Sequence, residues 1–155
     1  MQQYITDADY LEMAATEDFA SLLAIALSIM KRMPQPLVQQ SGPITTGGSG
    51  TQEENERRFR EATMHLAGQG HTVFDFLVFQ DALERIKDVA YGEGYCIEIL
   101  EIFFRGLFES GYIAKVFFLP DWESSRGSRW EREIVTQRGL EVIDLPVGFF
   151  EITRS

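Results

Sequence analysis

The chain has 155 residues, 45% of them hydrophobic, which suits one domain with a real core and disfavours a disordered tail or a two-domain enzyme. Its 14 Lys plus Arg against 24 Asp plus Glu give a net charge of −10, a field that repels phosphate backbones and anionic lipid heads. A nucleic-acid polymer and a membrane surface are therefore disfavoured as partners, whereas a small anion can still be held by clustered backbone N–H groups.

The start of the chain carries Asp7 and Asp9 and no basic stretch, so no signal peptide is expected. The longest apolar stretch, 19–30, contains Ser21 and Ser28 and is shorter than the roughly 18 residues a spanning helix needs. Over 16–32, Phe19, Leu22, Leu23, Ile25, Ala26, Ile29 and Met30 recur at helical spacing, with Lys31 and Arg32 in the last turn and Pro34 as a stop. This stripe exceeds one packed face, which predicts a homo-oligomer, by default a homodimer.

A short strand over 36–41 should follow and run into a glycine-rich loop, 42–51. A helix is expected over 52–68, with Glu53, Arg57 and Glu61 as a solvated face and Gly68 and Gly70 closing it. Residues 71–76 read as a second strand by their β-branched and aromatic content, and 79–89 as a short helix or irregular crossover. A helix apolar on more than one side is expected over 95–110, a central parallel strand over 113–119, and a polar loop over 120–128. A helix over 129–138, a C′ glycine at Gly139 and a last strand over 140–145 complete the pattern.

This β-α alternation predicts an α/β fold. The expectation is a single flavodoxin/Rossmann-like three-layer domain over 36–155, with a four- to five-stranded mostly parallel sheet, preceded by an N-terminal helical extension over 1–35. With strand order 2-1-3-4, the crevice where ligands bind falls between the first and third strands, under loops 42–51 and 120–128.

The first loop is neither a Walker A nor a dinucleotide fingerprint, but Gly42, Gly47 and Gly48 allow a backbone to approach a ligand closely. In the second, Ser125 and Ser128 are placed to cap a helix starting near Arg129, where free N–H groups would hold a phosphate and Arg126 would add charge-assisted bonds. Glu131 falls in the first turn, facing the crevice or simply complementing the helix dipole. Trp122 and Trp130 are able to stack on a base or to anchor packing. His65, His71 and the acids near them show no metal-ligand spacing, so no metal and no other cofactor is expected. Cys96, the only cysteine, forms no intrachain disulfide, fits a reducing cytoplasm and is expected buried in its helix.

Gly42-Pro43-Ile44-Thr45 after the first strand, Asn55 opening a helix, Gly70-His71-Thr72-Val73, and Leu119-Pro120-x-Trp122-x-x-Ser125-Arg126-Gly127-x-x-x-Glu131 together resemble the nucleoside 2-deoxyribosyltransferase-like family. The likeness is to its small bacterial and phage branch and, more distantly, to the 2′-deoxynucleoside 5′-monophosphate N-glycosidases, and covers about 37–145. It implies cleavage or exchange of the N-glycosidic bond of a nucleoside or nucleoside 5′-monophosphate. Glu131 would be the nucleophile that forms a glycosyl ester, Gly42, Pro43, Ile44 and Thr45 would lie along base and sugar, and Ser125, Gly127 and Ser128 would receive a 5′-phosphate.

Two positions depart from the family pattern. The Arg-Asp-Leu expected before the third strand reads Arg105-Gly106-Leu107, and Ala114 stands where a second Asp is common. Glu109 and Asp75 are the candidate replacements as sugar ligands. The alternative is a non-catalytic nucleotide-binding protein using the same pocket; a third reading is an interaction subunit with a vestigial crevice.

Overall fold

The structure, a computed structural model, describes residues 1–153. Helix α1, Asp7–Ala15, opens on a reciprocal capping box: Asp9 N–H donates to Thr6 Oγ1 at 3.0 Å and Thr6 N–H to Asp9 Oδ2 at 2.8 Å. Helix α2, Phe19–Arg32, is capped by Asp18, which accepts from Ser21 N–H at 2.7 Å, so the helix expected over 16–32 starts at residue 19, and α1 before it is an additional helix. Arg32 returns to pair with Asp9 and ties the two together.

Strands β1 (Leu37–Ser41), β2 (Ile113–Phe118) and β3 (Glu141–Asp144) form a parallel sheet in the order β1-β2-β3. Helix α3, Gln52–Gly68, covers one face, where Gln40 Nε2 donates to the Phe59 carbonyl at 2.9 Å. Helix α6, Arg126–Gln137, lies on the other, where Ser41 meets Ser128 and Arg132 pairs with Asp144. Helices on both faces of a parallel sheet make an α/β fold. All of β1 is buried, as expected for a strand covered on both sides.

The sheet has three strands rather than four or five. The second expected strand, 71–76, contributes one parallel bridge, Val73 to Val38, made by Val38 N–H to the Thr72 carbonyl and Phe74 N–H to the Val38 carbonyl. Asp75 then accepts from Leu77 N–H at 3.1 Å and turns the chain into a 3-10 turn, Phe76–Phe79. The aromatic run that read as a strand is core: Phe74 stacks on Phe79, and Phe76 meets Phe59 edge-on. Helix α4, Gln80–Ala90, follows.

The expected helix over 95–110 is a π-helical segment, Ile99–Phe104, continuing into α5, Arg105–Glu109. It packs on α2, whose Leu22, Ile25, Ala26 and Ile29 are all buried within this chain. The stripe that predicted a homodimer is therefore covered internally; the main core runs from Ile5 to Phe150, with a smaller cluster at Val38, Leu66, Val73 and Phe117. Gly106 makes the contact possible: a Cβ there would overlap the Leu23 side chain. A final helix, α7, Phe149–Thr153, places Phe149 against His65 and Phe150 under Arg58. No helix among the described residues is long and apolar enough to cross a membrane.

Candidate functional site

A cavity of about 520 Å³ opens at the carboxyl ends of β1 and β2. Its lining includes Gly42, just past β1, and Gly127, Ser128 and Glu131 of α6. Ser125 is the N-cap of α6, accepting from Ser128 N–H at 3.2 Å, so the helix begins three residues before the position expected from sequence. Glu131 consequently sits in the second turn rather than the first, where it is not a simple dipole partner.

Ser41 Oγ lies 3.0 Å from Ser128 Oγ, and the Ser41 hydroxyl is also within hydrogen-bonding reach of the Glu131 carboxyl. Glu131 is only 6% exposed, and its Oε2 has no hydrogen-bond partner. Burial pushes its carboxyl up to about 8, against the lowering effect of the Ser41 hydrogen bond. A buried carboxyl with an unpartnered oxygen on a residue that lines a cavity is a candidate functional group. Gln39, two residues before Ser41 on the same strand face, buries both amide atoms without a partner.

Asn55 shapes the first loop. Its Nδ2 donates to the Ile44 and Gly47 carbonyls, each at 3.1 Å, and its Oδ1 accepts from Ser49 N–H at 2.9 Å and Ser49 Oγ at 2.8 Å. Gly47 and Gly48 have φ of 74° and 59°, and a Cβ on either would strike Ser124 or Asn55. Gly48 N–H donates to Ser124 Oγ at 2.7 Å, which joins this loop to the one before α6. Arg58 pairs with Asp121 at 2.7 Å and fixes the second loop from α3.

Of the residues expected from sequence, Gly42, Ile44, Thr45, Ser125, Gly127, Ser128 and Glu131 come together as cavity lining. Arg126 lies with its guanidinium 3.9 Å from the centroid of Tyr95, a lining residue, and so borders the site. Pro43 is outside the lining, packed toward Gly48.

Trp122, Asp75 and Glu109 are elsewhere. Trp122 packs edge-on against Phe118 and under Arg132, an anchor for the loop rather than a stacking platform. Asp75 caps the 3-10 turn and faces a separate hollow of about 300 Å³ under the N-terminal residues; burial raises its pKa. Glu109 pairs with Arg138 at 2.5 Å and Arg105 at 3.6 Å on the surface.

The two departures from the family pattern also have structural reasons. Gly106 points at α2, so an Asp there would meet Leu23 rather than the cavity. Ala114 is the extra residue where the β1–β2 register shifts, at the end of β2 remote from the cavity.

Residues that sequence reasoning did not nominate complete the walls. Helix α4 contributes Gln80, Leu83, Glu84 and Lys87, a face at i, i+3, i+4 and i+7. Phe76 and Phe104, ring centroids 5.0 Å apart, form an apolar side, and Tyr95 and Cys96 lie near the rim. Burial raises the Cys96 thiol and the Tyr95 hydroxyl. Cys96 precedes the helix and is buried in the core, as expected, while also contributing to the cavity lining. The 79–89 segment, expected as a short helix or irregular crossover, is the helix, and its part in the lining was not read from sequence. Among the described residues, no group of three or more His, Cys, Asp or Glu is arranged to hold a metal ion.

Residues 38–144 match the family described as Domain of unknown function (DUF4406), and the chain belongs to it. The matched span runs from β1 to β3 and contains every residue of the cavity. Comparison with curated proteins gives no match, and neither does comparison with solved structures.

Proposed function

We propose that the chain is an N-ribosyl hydrolase or transferase acting on a nucleoside or nucleoside 5′-monophosphate, with Glu131 as nucleophile. The observation that carries this reading is the Glu131 carboxyl, buried in the cavity lining with Oε2 unpartnered, one turn below a helix start lined by Ser125, Gly127 and Ser128. The parallel sheet, with the cavity at its carboxyl edge, supports a Rossmann-like three-layer reading of the domain.

On this reading Glu131 attacks the anomeric carbon as a carboxylate, the bond to the base breaks, and the base leaves with its electron pair and a proton. Water or a second base then cleaves the ester and frees Glu131. With burial holding the Glu131 carboxyl at about 8, it must ionise before attack, and the departing base takes its proton from water. Positive charge developing on the sugar favours that ionisation.

The second reading is nucleotide binding without turnover. It is favoured by one observation: Gly106, Asp75 and Glu109 supply no carboxylate to the cavity for the sugar hydroxyls. Acid quenching during incubation with nucleosides and their 5′-monophosphates, followed by peptide mass mapping, separates the two. A glycosyl adduct on the peptide containing Glu131 is expected. Ligand-induced stabilisation with neither adduct nor free base would transfer the protein to the binding class.

A further inference from the structure

Across the cavity from α6, the wall contributed by α4 has a polarity of its own. Glu84 Oε1 accepts from Gln52 Nε2 at 2.9 Å and from Gln80 Nε2 at 3.1 Å. Gln52 Nε2 also donates to Glu56 Oε1 at 3.0 Å, so both of its amide hydrogens are engaged. These bonds fix the Glu84 carboxylate while occupying only one of its oxygens. Oε2 is left as an acceptor on a residue that lines the cavity. The neighbouring cation does not compensate it: Lys87 Nζ is held by the Gly92 carbonyl at 2.9 Å and by Asp88 at 3.5 Å.

The apolar side of the same cavity, Phe76 and Phe104, suits the face of a planar ring. The unpartnered Glu131 Oε2 is an independent sign, from another helix, that a ligand completes this space. A ring lying between them with its edge toward α4 meets a carboxylate oxygen. An exocyclic amino group there gains a charge-assisted bond, whereas a carbonyl oxygen there places two acceptors face to face.

We infer that Glu84, clamped by Gln52 and Gln80, is a specificity-determining residue that selects nucleobases bearing an exocyclic amino group over their carbonyl counterparts. This rests on the nucleoside or nucleotide reading of the cavity and adds which bases it takes.

Calorimetric titration of the full chain with matched 5′-monophosphate pairs tests it: cytidine against uridine, adenosine against inosine, and guanosine against xanthosine. The amino member is expected to bind at least tenfold more tightly in at least one pair, and Glu84→Gln is expected to reduce that preference to threefold or less. Equal or tighter binding of the carbonyl member in every pair overturns the inference and leaves the pocket assignment standing. So does an amino preference that survives in Glu84→Gln. Absence of binding by every nucleotide overturns the inference together with the reading beneath it. The wild-type comparison is able to overturn the inference even where the variant folds poorly.

Discussion

Ser41, the last residue of β1, and Glu131, in the second turn of α6, meet beside the cavity, where the Ser41 hydroxyl lowers a carboxyl pKa that burial has raised. The same hydroxyl reaches Ser128 Oγ at 3.0 Å, so one side chain links the strand end, the helix start and the proposed nucleophile. Ser41→Ala removes the stabilising bond. A hydrogen bond to a charged group is worth about 1.5–3 kcal/mol, so the Glu131 midpoint is expected to rise by about one to two pH units. Base release at pH 7 should fall at least about tenfold, and the inflection of its pH profile should move to higher pH. An unmoved inflection contradicts the assigned role.

Stability should report the Glu131 carboxyl without any substrate. Its folded value of about 8 lies above the ordinary glutamate value of 4.5, so between the two the unfolded chain gives up the proton first and the folded state loses stability as pH rises. The loss is about 1.4 kcal/mol for each pH unit in that window and levels off above it. Glu131→Gln has no such loss. Urea unfolding is expected to give similar stabilities for variant and wild type near pH 4.5, and a variant increasingly more stable toward pH 8. A constant difference across this range contradicts the buried carboxyl.

Gly106 is expected to be a packing position. Gly106→Ala should destabilise the fold by about 1–3 kcal/mol through overlap with Leu23, and Leu23→Ala in the same chain should recover part of that loss. Double-mutant unfolding measures the coupling. Additive effects would show that the α2–α5 approach is not set at these two residues.

Asn55→Ala removes four hydrogen bonds that shape the loop over 44–49. Nucleotide affinity should drop at least tenfold, since the Ile44 and Thr45 wall loses its anchor. Titration calorimetry checks this beside a circular-dichroism spectrum that confirms the retained fold. Unchanged affinity contradicts the loop's part in the site.

The periodicity of α2 and α3, the three strands, and the sequence from Ser125 to Glu131 were legible because each carries a local physical signature. The second loop proved informative for the same reason: Ser125 is a cap residue and Glu131 lies on the face of α6 that meets the sheet. Residues 71–76 misled because Phe74 and Phe76 have strand-forming composition but are committed to aromatic packing, while Asp75 bends the backbone. Asp75 and Glu109 were nominated by their place in the sequence, yet tertiary neighbours direct one to a turn and the other to Arg138. The Glu84 clamp was out of reach, since it depends on Gln52, 32 positions earlier, arriving beside α4.

The most direct test of the central claim is chromatographic detection of free base released from ribo- and deoxyribonucleosides and their 5′-monophosphates, with Glu131→Gln measured in parallel. The expected result is release from at least one substrate by the wild type and a loss of at least a hundredfold in the variant. Release that proceeds equally in Glu131→Gln would contradict the account, because the carboxyl in the cavity lining would then have no part in breaking the bond.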